Sequence, residues 1–169
     1  MCLHLKIVRN FSDRGDYKIV KVKSALDMQK AIEDEFETAD IVIMAAAVAD
    51  YRVKNQAEQK MKKFAGENEI LNLELVQNPD ILKGLCETKT HQLVVGFCAE
   101  SENLLENAKE KIAKKGCDYL IANDISRSDI GFSSDDNEVT ILEKSGKIEK
   151  LEKASKKVIA RKILEKITE

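Results

Sequence analysis

Residue types able to do chemistry concentrate where an uncharged run stops. Residues 41–49, IVIMAAAVA, carry no charge, end abruptly at Asp50, and are followed by Lys60, Lys62 and Lys63. A carboxylate can hold a divalent cation and lysines can neutralise phosphates, so together they suggest a nucleotide site. Three further apolar runs end in the same way. Residues 70–76 lead to Asn78, Pro79 and Asp80, residues 92–97 lead to Glu100, and residues 118–122 lead to Asn123 and Asp124. Carboxylates at all of these run-ends exceed what helix capping needs. Each also has a plainer explanation: Asp80 suits the positive end of a helix, Asn123-Asp124 suits a turn, and the lysines suit a solvated loop. The alanines suit a tightly packed strand, although small residues there would also let a flat base approach the backbone.

The elements that must position these residues alternate. LHLKIV (3–8) and YKIVKV (17–22) read as strands around a polar turn at 12–16. Ser24 with Asp27 forms a capping-box pattern ahead of a stripe of Met28, Ala31, Ile32 and Phe36. The run 41–49 reads as a strand buried on both faces. ILNLELV (70–76) alternates like a strand, and Asn78-Pro79 reads as an N-cap followed by the first helical position. After strand 92–97, Ser101 is expected to cap a helix with Leu104, Leu105, Ala108 and Ile112 inward, stopped by Gly116. Strand 118–122 follows, then a hairpin of 138–143 and 147–151 around Ser145-Gly146. A last helix from Ser155 carries Ile159, Ile163 and Ile167. This alternation predicts a largely parallel α/β sheet with helices on both faces. Ligands bind beyond the carboxyl ends of such strands, where the polar run-ends lie.

The chain has 169 residues, 43% of them hydrophobic and 34% charged, with a formal net charge of −2. That length suits one domain, residues 1–169, with a sizeable core. The charge offers no basic field for nucleic acid or anionic membrane. No apolar segment is long enough to span a bilayer, and the first residues lack a signal-peptide pattern, so a cytoplasmic location is expected. Cys2, Cys86, Cys98 and Cys117 lack zinc-site spacing and read as buried thiols, with a nucleophilic Cys98 as the alternative. The sequence contains no GxGxxG, GxxxxGK[ST] or GxSxG pattern, which disfavours dinucleotide oxidoreductases, P-loop NTPases and α/β-hydrolases.

Six blocks in order carry a resemblance: AAAVADYR (45–52), KMKK (60–63), QNPDI (77–81), VGFCAES (95–101), ANDIS (122–126) and GFSSD (131–135). Together they resemble phosphopantothenoylcysteine synthetase, often the C-terminal half of a bifunctional coenzyme A biosynthesis protein, from about residue 17 onward. The resemblance implies a three-layer α/β/α Rossmann-like (ribokinase-like) domain with a mostly parallel sheet and a C-terminal β-hairpin. It implies CTP-dependent ligation of 4′-phosphopantothenate to L-cysteine through an acyl-cytidylate, with Mg²⁺ or Mn²⁺ and a homodimer. On that resemblance Ala46, Ala47 and Ala49 present backbone to cytosine, and Asp50 helps bind nucleotide and metal. Lys60 is the catalytic cation, with Lys62 and Lys63 in support. Asn78 and Asp80 contact the ribose or the metal shell, and Phe97 packs on the nucleotide. Cys98 stands where alanine is usual and Ser101 where threonine is usual.

The front of the chain departs from the family. Its GGTxE-like glycine-rich loop and ITNxSSG-like segment have no counterpart, and KIVRNFSDRGD replaces a strand ending in Ser-Gly-Pro. The resemblance therefore implies the C-terminal portion of a synthetase domain, with weakened CTP binding and impaired ligation. A non-catalytic nucleotide-binding or assembly module of the same fold is the alternative, and a Rossmann-like interaction domain without nucleotide preference is a third.

Overall fold

Two strands, β6 (Leu93–Glu100) and β7 (Tyr119–Asp124), form the centre of the chain and explain its layering. The computed structural model describes residues 3–8, 17–57, 59–60, 71–126 and 134–169. The main sheet has the order β3-β6-β7-β8-β9, with β3 Ile41–Met44, β8 Asp136–Glu143 and β9 Ile148–Ser155. Pairing is parallel across β3-β6-β7 and antiparallel across β7-β8-β9, so the sheet is mixed. The expected hairpin closes it, with Gly146 at φ 94° in the turn, a left-handed conformation that glycine adopts without strain.

Helices cover both faces, which is why β6 and β7 read as continuous apolar runs. Val94, Leu120 and Ala122 face α1 (Ala25–Phe36), α2 (Ile81–Thr88) and α3 (Leu104–Lys115). Val95, Ile121 and Ile141 face α4 (Lys156–Ile167) on the other side. The α4 stripe buries Ile159, Ile163 and Ile167, each worth about 1.5–3 kcal/mol relative to exposure. The α/β architecture and its helix-covered faces are therefore as expected.

The capping signals divide into those that hold and those that shift. Ser24 and Asp27 form the reciprocal capping box, Ser155 accepts from the Val158 amide, and Gly116 ends α3 at φ 77°. The cap of α2 is Asp80 rather than Asn78, because the Asn78 side chain is engaged elsewhere and the Asp80 carboxylate accepts from the Lys83 amide. Asn103, not Ser101, precedes α3, at φ 49° with no side-chain capping bond. Leu105 lies on the exposed side of α3, outside the inward stripe.

The first two strands form with the expected bounds, β1 (Leu3–Val8) and β2 (Tyr17–Val22), and pair antiparallel as a separate two-stranded sheet. Two strand expectations change. Residues 71–74 are not strand. Only β5 (Leu75–Gln77) forms, pairing antiparallel with β4 (Tyr51–Val53) in a two-stranded ribbon. The run 41–49 is strand only to Met44, and β3 is half-buried at the edge of the sheet, not buried on both faces. Its ladder with β6 stops at the Met44–Gly96 pair, whereas β6 stays paired to β7 as far as Glu100–Asp124.

Gly96 is where α2 meets the sheet. A Cβ there would lie 2.6 Å from Leu82 Cδ2 and 3.2 Å from Leu120 Cδ1. Gly96→Ala is expected to lower stability by about 1–3 kcal/mol through overpacking, read as a fall in the urea midpoint. Leu82→Ala should cost less in the Gly96→Ala background than in wild type, and strictly additive losses would show that the crowding is not at Leu82.

Candidate functional site

Where residues 45–49 leave the ladder, a cleft of about 410 Å³ opens over the carboxyl end of β6. Ala46 to Asp50 form one wall, Gln77 to Leu82 another, and Phe97, Cys98, Ala99 and Leu120 contribute from the central strands. The location follows the rule for open α/β sheets. Of the residues singled out in the sequence, Ala46, Ala47, Ala49, Asp50, Asn78, Asp80 and Phe97 all line this one cleft. Lys60 is exposed and is not among the lining residues. Lys62 and Lys63 lie outside the described residues.

Two functional candidates escaped the sequence reading. Lys111 and Lys115, on α3, line the cleft and supply cations on the side of the central strands. They fall at the i+3 and i+7 positions from buried Ala108, with buried Ile112 between them. Lysines on the apolar stripe of an amphipathic helix, rather than opposite it, were the available signal.

Both cations have carboxylate partners. Lys115 bonds to Asp80, and Lys111 bonds to Glu100, which also accepts from Asn107 Nδ2 at 3.1 Å. Partial burial works against ionisation of Asp80, but the Lys115 hydrogen bond, the Lys83 amide and the two lysine charges prevail, so its carboxyl titrates below the usual range. Of the other run-end carboxylates, Glu100 points to α3 and Asp124 accepts from the Ser126 amide and hydroxyl.

Burial pushes the Cys98 thiol up to about 11 against the pull of Lys111, so the thiol is protonated near neutral pH and unsuited to nucleophilic attack. Cys86, Cys98 and Cys117 are all free thiols. Among the described residues, no group of three or more His, Cys, Asp or Glu side chains is placed to hold a metal by itself. The cleft thus offers main-chain groups and small side chains along the Ala46–Asp50 wall and two cations from α3, while the Phe97 side chain packs against the α4-side core. Such a lining suits a ligand with a flat polar ring and an anionic tail.

Residues 7–169 match the family described as DNA/pantothenate metabolism flavoprotein C-terminal domain. The chain is 40% identical over 154 residues to the coenzyme A biosynthesis bifunctional protein CoaBC of Bacillus subtilis, covering 91% of this chain and 37% of that protein. Against the protein of the same name from Escherichia coli K12 it is 40% identical over 130 residues, covering 76% of this chain and 32% of that one. The chain thus spans about a third of the length of these relatives. A crystal structure of the CoaBC C-terminal domain superposes with a TM-score of 0.68 at 36% identity, covering 86% of this chain and 62% of that domain. Among the described residues no helix is long and apolar enough to cross a membrane.

Because the folded-state pKa of Asp80 is lowered, its ionisation stabilises the fold above the ordinary aspartate range, and that contribution is lost as pH falls through the lower folded value. Asp80→Asn keeps a capping acceptor for the Lys83 amide and removes only the charge. Wild type is expected to have the higher urea midpoint at about pH 7, and the two midpoints should converge once pH falls below the lowered folded-state value. A gap that persists unchanged into strong acid would assign the effect to something other than this charge.

Proposed function

The chain belongs to the DNA/pantothenate metabolism flavoprotein C-terminal domain family, and on that premise we propose that it is a ligase domain of coenzyme A biosynthesis. In this reading it uses CTP to join 4′-phosphopantothenate to L-cysteine. The observation that carries the proposal is the single cleft in which the walls Ala46–Asp50 and Gln77–Leu82 face Phe97, Lys111 and Lys115.

The chemistry runs in two displacements. A carboxylate oxygen of 4′-phosphopantothenate attacks the α-phosphorus of CTP, and pyrophosphate leaves with the bonding electron pair. The acyl-cytidylate so formed has a phosphate leaving group where the carboxylate had only oxide. The cysteine amine then attacks the acyl carbon, CMP departs, and the amine loses a proton. Main-chain groups of Ala46, Ala47 and Ala49 bind the cytosine, and Phe97 packs against the nucleotide. Asn78 and Asp80 contact the ribose or the metal shell.

Lys111 and Lys115 neutralise phosphate charge, exchanging Glu100 and Asp80 for the ligand. Lys60, with Lys62 and Lys63, acts from the segment that follows β4, whose other end adjoins Asp50. Asp50 would hold a Mg²⁺ or Mn²⁺ ion together with the phosphates, because such ions are commonly bound by one or two carboxylates plus substrate oxygens. That ion would supply charge neutralisation on the phosphates.

A homodimer fits the same reading. The ribbon and residues 71–74 leading into it leave Tyr51, Val53, Leu71, Leu73 and Leu75 exposed by 41–60%, and apolar exposure of this kind suits an interaction surface. The hairpin is the poorer candidate, because its outer strand β9 is rich in Lys and Glu, which guard a sheet edge. Leu73→Asp with Leu75→Asp should shift the sedimenting species toward monomer, and an unchanged distribution would exclude the ribbon.

Calorimetric titration with CTP and Mg²⁺ is expected to show saturable binding, and Lys111→Gln with Lys115→Gln should weaken it by at least tenfold, consistent with loss of charge-assisted hydrogen bonds. Pyrophosphate release on adding 4′-phosphopantothenate separates a ligase from a nucleotide-binding module. Lys60→Gln should reduce turnover by about 2–4 kcal/mol of transition-state stabilisation, and full turnover would remove Lys60 from its assigned role. Absence of any CTP binding would defeat the proposal as a whole.

A further inference from the structure

Beside the cleft lies a hydrogen-bond relay whose first member, Arg52, is not among the lining residues. Arg52 Nη1 donates to the Gln77 carbonyl at 2.7 Å and to Asn78 Oδ1 at 3.3 Å. Asn78 Nδ2 donates in turn to the Ala49 carbonyl at 2.8 Å, and the Asn78 amide donates to the Asp50 carbonyl at 2.7 Å. The relay begins on β4, crosses to the end of β5, and returns to the wall at Ala49 and Asp50.

We propose that Arg52 is a positioning residue: its guanidinium sets the orientation of the Asn78 amide and so pins the main chain of Ala49 and Asp50 against the cleft. The chemistry of the two groups requires one arrangement. A guanidinium has donors only, so it must face Oδ1, and the Ala49 carbonyl accepts only, so it must face Nδ2. The reversed amide would set donor against donor at one end and acceptor against acceptor at the other. Without Arg52, the end of Asn78 remote from Ala49 loses its constraint, and so does the Gln77 carbonyl.

The wall needs such a clamp. The β3-β6 ladder ends at Met44–Gly96, so residues 45–49 are not held as strand, yet their main chain forms one side of the cleft. Ala46 and Val48 pack against the core, while the far end of the segment is fastened by the Asn78 bond to the Ala49 carbonyl. Arg52 lies on β4 and Asn78 immediately follows β5, at the base of the ribbon. The ribbon's root and the wall of the site are therefore one hydrogen-bonded unit.

The functional part of this inference rests on the CTP reading above. A wall that presents main-chain groups to a pyrimidine edge depends on their placement, and small displacements of binding groups are costly. Arg52→Gln is expected to raise the KM for CTP by roughly ten- to a hundredfold while kcat changes by less than about threefold. The preference for CTP over UTP should fall with it, because the two differ only along the base edge. Arg52→Lys, which keeps a cationic donor but lacks the planar fork, should restore part of both. A purely structural role would lower the denaturant midpoint and the active fraction without changing KM or base preference, and that result would overturn the proposal.

Amide hydrogen exchange on the ligand-free protein makes the test independent of the nucleotide. In Arg52→Gln the Asn78 amide should exchange at least tenfold faster while amides of β6 and β7 keep their rates. Unchanged protection at Asn78 would overturn the proposal whatever the kinetics show. If the wild-type chain binds no CTP, the ligase reading fails and the exchange result alone decides whether Arg52 pins the wall.

Discussion

The site exists because two strands part company. β3 and β6 pair as far as Met44–Gly96, and beyond that point β6 keeps its ladder with β7 while residues 45–49 take another course. Had the pairing continued to Asp50, the backbone groups of the alanine segment would be spent on the sheet and no cleft would lie between them and Phe97. Gly96 sits at the point of departure, where Leu82 and Leu120 approach so closely that a side chain would displace them. The absence of a Cβ there lets α2 sit down on the sheet and brings the Gln77–Leu82 wall within reach of the cleft.

The second constraint is electrostatic. Lys111 and Lys115 are brought to a partly apolar lining, where unpaired ammonium groups would be costly. Glu100 and Asp80 supply the counter-charges in the ligand-free protein. These pairs are only partly buried, so their net contribution to stability is small. Their consequence is that, on the proposed function, a phosphate entering the cleft would exchange one anion for another rather than meet bare cations. Such an exchange favours ligands that carry several phosphate charges over singly charged ones, because a single charge gains little by displacing a carboxylate already in place.

How much of this was legible in the sequence depended on whether a feature was set locally. The capping box at Ser24–Asp27, the stop at Gly116, the hairpin at Gly146 and the α4 isoleucines are governed by residues three or four apart or by one turn conformation, and they form as read. The alanine run misled because an uncharged stretch looks alike whether it is a covered strand or the small-residue wall of a cleft. Asn78 was placed one role too early for a related reason. Its amide could cap a helix, but the tertiary fold offers Ala49 and Arg52 as partners, and the cap passes to Asp80 two residues on. Lys111 and Lys115 were not singled out, because what gives them a role is the docking of α3 beside the cleft, a tertiary feature.

The ribbon connects these observations. A two-stranded ribbon has little core of its own and is marginal when isolated. Here its base is tied by Arg52 and by the Asn78 amide to Asp50, while its apolar side chains remain exposed. The same short segment therefore has one end in the wall of the cleft and the other on a surface suited to association. Covering that surface would restrict the ribbon, and restriction at its base acts on Ala49 and Asp50 directly. Were the chain to assemble through that surface as proposed, assembly and the order of the cleft would be linked by two strands and four hydrogen bonds, without any rearrangement of the central sheet.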